Sequence, residues 1–342
     1  MDTLELKSFT VSRGFTYRYW TSPASANKDS SKPALFIQHG WPDTAHLFAR
    51  MVPLLNSLPN RLIIPDLLGY GGTSKPTAYK EYAFNLMTQD FCDILDNEDV
   101  EKCVSVGHDW GAASAQRFYN FHPERVAGLV LMNVAYLAPD KANPPNLDAM
   151  NEMTKSIYGF GLYEYWYTFL APDAPQLFMN NLERVWELMQ AAMEEDMKRL
   201  CVREGVRQYL TDHSVPTPEL KPYAHDPELK ASWIQRMKES GFDSSFCWYH
   251  SFVTTESKDD KPVQFLSDQQ IKDENITVNV PVLFVGCTGD VVARPEMINM
   301  GKDAGLLPDL KVETLDCAHW SPLEKPEEMS EAIKRFLEEK AL

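Results

Sequence analysis

Residues 104–118 read VSVGHDWGAASAQRF. A run of small and β-branched residues passes through Gly107-His108-Asp109-Trp110-Gly111 and straight into a helix-like stretch. In such a strand-turn-helix elbow the central residue is forced into a strained backbone conformation, and flanking glycines remove side chains that would clash with the turn. Asp109 is thereby pushed out over the sheet edge, at a position where serine is the commoner occupant. The start of the following helix supplies unpaired N–H groups and the positive end of a dipole, which favour an anionic nucleophile and a developing oxyanion. A Gly-Asp pair also makes plain turns, so it is the strand before and the helix after that single out Asp109.

Outward from the elbow, short apolar runs alternate with helical patterns: ALFIQ at 34–38, RLIIPD at 61–66, GLVLMNV at 128–134, VPVLFVG at 280–286 and LKVETLD at 310–316. Runs that are apolar on both faces suit central parallel strands covered by helices. Helices are expected over 44–58, 82–96, 111–121 and 327–340, the last with Met329, Ile333, Phe336 and Leu337 on one face. The alternation implies a doubly wound α/β sheet with right-handed crossovers. It breaks at 138–268, a stretch rich in Pro, Met, Tyr and Trp with amphipathic patches such as NNLERVWELMQAAMEEDMKRLCV and no good strand signal. A helical insertion at the carboxyl edge of such a sheet sits where ligands bind, which makes it a candidate lid.

The 342 residues carry 33 basic and 49 acidic side chains, a net of -16. Phosphate backbones and anionic membranes demand the opposite sign, so neither nucleic acid nor membrane is an expected partner. Cysteines 92, 103, 201, 247, 287 and 317 are scattered, with no metal-type spacing, and read as reduced, mostly buried thiols; no metal or other cofactor is called for. The start MDTLELKSF lacks a basic-then-apolar leader, and no window approaches the roughly 18 apolar residues of a membrane helix. A cytoplasmic location is the expectation, Asn275-Ile276-Thr277 reads as a chance sequon, and the terminal Lys-Ala-Leu is no clear peroxisomal address.

The elbow predicts two further groups in the chain order nucleophile, acid, histidine. Asp290 follows the strand VPVLFVG, and His319 follows LKVETLD. Alone, such an Asp is a turn former and such a His a structural side chain; together, each at a strand's carboxyl end, they complete a set. His39-Gly40-Trp41-Pro42-Asp43 follows ALFIQ. From that loop the N–H of Trp41 is expected to join that of Trp110 in an oxyanion hole.

HGWPD (39–43), DLLGYGGTSKP (66–76), GHDWGA (107–112) and CAHW (317–320), with Asp290 in GCTGDVV, resemble the epoxide hydrolase branch of the α/β-hydrolase fold. The resemblance spans the core and is weak in the insertion. It implies an α/β-hydrolase core at 1–137 and 269–342 with a helical cap domain at 138–268, acting as monomer or homodimer on a small apolar epoxide and water. A carboxylate is ionised at neutral pH and can displace a leaving group at saturated carbon. Asp109 is then expected to form an alkyl ester, which water activated by His319 and oriented by Asp290 would hydrolyse. The departing alkoxide needs a proton donor, and in the family two lid tyrosines serve. Tyr249 in FCWYH is one counterpart, although His250 stands where the family usually has Arg. Tyr165 in GLYEYWYTFLAP is the other, with Tyr163 and Tyr167 as alternatives. Trp41, Trp110 and Trp320 are expected to wall the substrate.

A dehalogenase shares the ester, but its haloalkane-type members typically place Asn where Trp41 stands, and its fluoroacetate-type members Arg where Trp110 stands. A biosynthetic enzyme in which a substrate hydroxyl replaces water fits the same residues. A non-catalytic receptor would show a degraded set, whereas Asp109, Asp290 and His319 are all present.

Overall fold

The computed structural model describes residues 1–26, 28–254 and 261–342. Among them eight strands form one sheet: β1 (Glu5–Thr10), β2 (Thr16–Thr21), β3 (Ala34–Gln38), β4 (Leu62–Pro65), β5 (Cys103–His108), β6 (Val126–Met132), β7 (Val282–Cys287) and β8 (Leu310–Leu315). The spatial order is β1-β2-β4-β3-β5-β6-β7-β8. β1 and β2 run antiparallel to their neighbours, and every pair from β4 to β8 is parallel. The six strands read from the sequence are thus the parallel body of the sheet. Every residue of β3, β5 and β7 is buried, as apolar runs covered on both faces must be.

Two helices that follow strands, α1 (Phe84–Asn97) and α2 (Trp110–Phe121), lie against the sheet. Phe36 of β3 meets Phe91 of α1 at 5.2 Å and Phe118 of α2 at 6.1 Å between ring centroids. The helix expected over 44–58 is not one element. A 3-10 turn (Ala45–Phe48) and a single helical turn (Val52–Leu55) replace it, and Pro53 sits in the first turn of the second piece, where its missing N–H costs nothing.

Between β6 and β7 the described chain is helical apart from turns and one isolated bridge, Ala191 with Leu220. It includes α3 (Leu147–Tyr158), α4 (Leu182–Met189), α5 (Pro227–Ser240) and α6 (Cys247–Val253); after β8 the chain ends in α7 (Pro326–Lys340). α4 buries Leu182, Val185, Trp186, Leu188 and Met189, with Trp186 set 5.5 Å from Trp233 of α5. The 180–202 patch is broken after α4 by the bridge and resumes as the short helix Glu194–Met197. α3 differs, because only Asn151 and Thr154 are buried.

Specific bonds hold the inserted helices to the sheet edge. Trp248 donates its indole N–H to the Leu68 carbonyl at 2.9 Å, and Ser244 donates to that of Gly69 at 2.7 Å. Arg117 of α2 makes a two-pronged pair with Asp268 at 2.8 and 2.7 Å. Both side chains are nearly inaccessible, so losing either partner would cost about 3–5 kcal/mol. The six cysteines are buried and in no disulfide. Among the described residues no helix is long and apolar enough to cross a membrane.

Candidate active site

β5 ends at His108, and Asp109 takes φ 56°, ψ −125° before α2 begins. That conformation is costly for a residue with a Cβ, and the surroundings hold it. A methyl at Gly111 would collide with the Gln38 carbonyl, and one at Gly40 with the Asp109 carboxylate, so both positions need glycine. The tight approach delivers the Trp41 N–H to Asp109 Oδ1 at 2.8 Å.

The other oxygen, Oδ2, lies 3.5 Å from His319 Nε2. His319 Nδ1 donates to Asp290 Oδ2 at 2.7 Å, which fixes the ring and leaves Nε2 facing Asp109. Asp290 is wholly buried and fully bonded. Its Oδ1 accepts from the N–H groups of Val292 and Ala293 at 3.0 and 2.9 Å, and its Oδ2 also accepts from Asn133 Nδ2 at 2.8 Å. The loops after β5, β7 and β8 thus bring Asp109, Asp290 and His319 together.

The electrostatics follow from two carboxylates flanking one ring. Burial works to raise the Asp109 carboxyl, but His319, His108 and the Trp110 N–H outweigh it and hold it below the usual carboxylate range. Asp290 is lowered in the same way, by His319, Asn133 and the Ala293 N–H against its burial. Burial works to lower His319, yet the two carboxylates hold it above its ordinary value. The ring is therefore an imidazolium while Asp109 is ionised.

Two supporting residues lie outside the sequence expectation. Asn133 reads as the continuation of strand GLVLMNV, but β6 stops at Met132 and Asn133 turns at φ 65° to reach Asp290. Its Oδ1 accepts from Ser321 at 2.6 Å. His108, pushed down to about 4 by burial, is neutral and donates from Nε2 to the His319 carbonyl at 2.7 Å. An Asn closing the apolar run GLVLM was the one legible signal; the His108 bond spans 211 residues and leaves none.

A cavity of about 100 Å³ opens on Asp109 and His319, walled by Trp110, Trp166, Phe252 and Met297 among others. Tyr163 and Tyr165 both line it. Tyr167 does not: its hydroxyl bonds Asp148 and its ring lies 3.6 Å under Arg203 at the surface. Tyr249 packs edge-on against Trp110 and Trp166 at 5.1 Å each and lies 6.2 Å from Tyr165. Burial, with Asp109 nearby, raises both Tyr249 and Tyr165 well above their usual range, so both stay protonated.

Two of the three expected tryptophan walls differ from expectation. Trp110 lines the cavity, whereas Trp320 lies outside it. The Trp320 indole instead donates to Asp43 at 3.2 Å, a carboxyl that burial pushes up to about 6. The Trp41 ring packs 4.4 Å from Phe169 and 5.6 Å from Phe246, away from the cavity lining, so its contribution at the site is its N–H.

A sequence family described as alpha/beta hydrolase fold matches residues 33–326. The chain is 27% identical over 310 residues to "Bifunctional epoxide hydrolase 2" of Mus musculus, covering 90% of this chain and 52% of that protein. It is 25% identical over 310 residues to "Epoxide hydrolase A" of Mycobacterium tuberculosis, with 89% and 90% covered. The chain therefore spans about half the length of the mammalian relatives it matches. Among solved structures, Epoxide Hydrolase A from Mycobacterium thermoresistibile superposes with a TM-score of 0.77 at 22% identity over 98% of both chains. An epoxide hydrolase from Vigna radiata gives 0.77 at 21% over 99% of both. With the elbow and the parallel sheet that carries it, this match means that the chain belongs to the alpha/beta hydrolase fold family.

Proposed function

We propose that the chain hydrolyses an epoxide to a vicinal diol through an ester on Asp109, beneath a cap formed by the inserted helices. One observation carries the proposal: a carboxylate on the elbow has one oxygen held by a backbone N–H and the other facing a histidine that a second carboxylate orients. The names of the similar proteins support the same chemistry.

Asp109 Oδ2 attacks the epoxide carbon and the carbon–oxygen bond breaks. The departing oxygen takes a proton from Tyr249 or Tyr165, which burial keeps protonated. Ester formation removes the Asp109 charge that helped keep His319 protonated, so the ring releases its proton to restore the tyrosine. His319 is then a base. It takes a proton from water as the water oxygen attacks the Asp109 carbonyl carbon, and the N–H groups of Trp41 and Trp110 receive the negative charge on Oδ1. Collapse expels the diol oxygen, which takes the proton from His319, and the new Asp109 carboxyl returns a proton to the ring. The enzyme is back at its starting state.

A second chemistry, displacement of halide from a haloalkane through the same ester, is supported by one feature. Trp166 lines the cavity, and its buried indole N–H has no hydrogen-bond partner among the described residues. Turnover of a panel of epoxides, haloalkanes and a simple ester decides between them, with Asp109→Asn as the inactive control. Diol formation without halide or ester turnover is expected, and halide release alone would reject the epoxide assignment. Within that assay Tyr249→Phe is expected to slow ring opening by about tenfold or more. An unchanged alkylation rate would remove Tyr249 from the mechanism.

A further inference from the structure

The backbone that carries His319 is held peptide by peptide. The Gly289 N–H donates to the Cys317 carbonyl at 3.0 Å, Asn133 Nδ2 to that of Ala318 at 3.4 Å, and His108 Nε2 to that of His319 at 2.7 Å. These three donors belong to the loops and strand ends that carry the site. The fourth hold comes from further along the chain: the Ala318 N–H donates to Glu324 Oε2 at 3.0 Å. Glu324 reaches back because the chain turns after Trp320 into a short helical piece (Ser321–Glu324), in which the Glu324 N–H donates to the Trp320 carbonyl at 3.1 Å.

The other oxygen of that carboxylate is held by the insertion. Glu324 Oε1 accepts from Lys221 Nζ at 2.9 Å, across 103 residues of sequence. The two side chains are only 17% and 15% exposed, so water and salt screen the pair less than an ordinary surface pair. Lys221 is itself fixed. Its N–H donates at 2.9 Å to the carbonyl of Gln190, just past α4, its own carbonyl accepts from the Ala224 N–H at 2.9 Å, and the preceding Leu220 bridges Ala191. Nearby cations are engaged elsewhere, Lys325 with Glu328 at 3.2 Å and Arg50 with Asp226 at 3.7 Å. Lys221 is therefore the cation that aims Glu324. Without it the partly exposed carboxylate is free to turn to water, and the Ala318 N–H loses its acceptor.

Resting on the epoxide assignment above, we infer that Glu324 and Lys221 are positioning residues for hydrolysis of the Asp109 ester. Glu324 sets the peptide immediately before His319, and Lys221 makes that setting depend on the insertion being seated on the core. Attack on the epoxide needs no base and is indifferent to this setting. Ester hydrolysis needs Nε2 in one place, and a misplacement on the order of 1 Å costs up to about a hundredfold.

Rapid mixing of an epoxide with the intact protein separates the two steps. Lys221→Met and Glu324→Gln are each expected to slow ester hydrolysis by about tenfold or more while alkylation changes by less than about threefold. The double variant is expected to be within about twofold of the slower single one, because the pair acts as a unit. Lys221→Arg keeps the cation and is expected to bring hydrolysis back to within about threefold of wild type. Lys221 and Glu324 lie in separate segments, so misfolding of one variant leaves the other as the test. Hydrolysis unchanged in both single variants, or both steps slowed by the same factor, would overturn the assignment. Proton NMR without substrate reads the same effect apart from the reaction. Exchange of the His319 Nδ1 proton with water, a signal that His319→Gln removes, is expected to quicken by about tenfold in Lys221→Met and to return to its wild-type rate in Lys221→Arg. An Nδ1 proton indifferent to both Lys221→Met and Glu324→Gln would overturn the positioning role whatever the substrate. Failure of the epoxide assignment has a different signature: the Nδ1 proton responds as described, while the wild type turns over no epoxide.

Discussion

Replacing His319 by Gln lowers turnover by about four orders of magnitude or more and leaves an adduct on Asp109. The effect is this large because the two half-reactions depend on the ring differently. Attack on the epoxide needs an ionised carboxylate and no base, and in the variant Asp109 still accepts from the Trp41 N–H at 2.8 Å. Hydrolysis of the ester needs water deprotonated at a fixed place, and His319 Nε2, 3.5 Å from Asp109 Oδ2, is the base that stands there. Glutamine retains bulk and a hydrogen bond but accepts no proton at neutral pH. Intact-protein mass spectrometry after mixing with substrate is expected to show a gain equal to the mass of the epoxide on nearly every molecule. Normal turnover in this variant would show that another group serves as base, and loss of activity without any adduct would place the defect in the first step.

Asp290→Asn is expected to slow ester hydrolysis by about three to four orders of magnitude while ring opening changes far less. Asp290 contributes a charge that stabilises the imidazolium and a hydrogen bond that directs Nε2 toward Asp109. Asparagine removes the charge and permits the wrong tautomer. The pH profile carries the sign. In the wild-type ester His319 keeps Asp290 but has lost the Asp109 charge, so its pKa lies below the free-enzyme value, and hydrolysis rises with pH as the ring deprotonates. Without Asp290 the pKa falls further, and the rising limb of the residual hydrolysis moves to lower pH. Pre-steady-state measurement of both steps across pH checks this, and a limb that stays in place would mean that Asp290 does not tune the base.

The parallel body of the sheet and the three central residues were legible because local signals coincide there. Apolar runs mark the strands, and Asp109, Asp290 and His319 each stand just past the carboxyl end of one. The β1–β2 hairpin was not legible, because β1 (ELKSFT) is an exposed edge strand with no apolar run to announce it. The 44–58 stretch has helical apolar spacing, but Pro53 divides it into two short turns. Within the insertion, periodicity finds helices yet says nothing of their placement over the sheet. The sequence favoured Tyr165 with Tyr163 and Tyr167 left as alternatives, and only the packing turns Tyr167 outward to Asp148 and Arg203 while the other two face the cavity. Trp320 shows the same limit, since it was expected to wall the substrate and the fold uses its indole to hold Asp43.

The most direct test of the ester on Asp109 is a single turnover in heavy-oxygen water with enzyme in excess, followed by mass analysis of the peptide carrying Asp109 and of the diol. Water attacks the Asp109 carbonyl carbon in this account, so the label is expected in the Asp109 carboxylate after the first turnover, with an unlabelled diol. Label appearing at once in the diol and absent from Asp109 would contradict it, because water would then have attacked the epoxide itself.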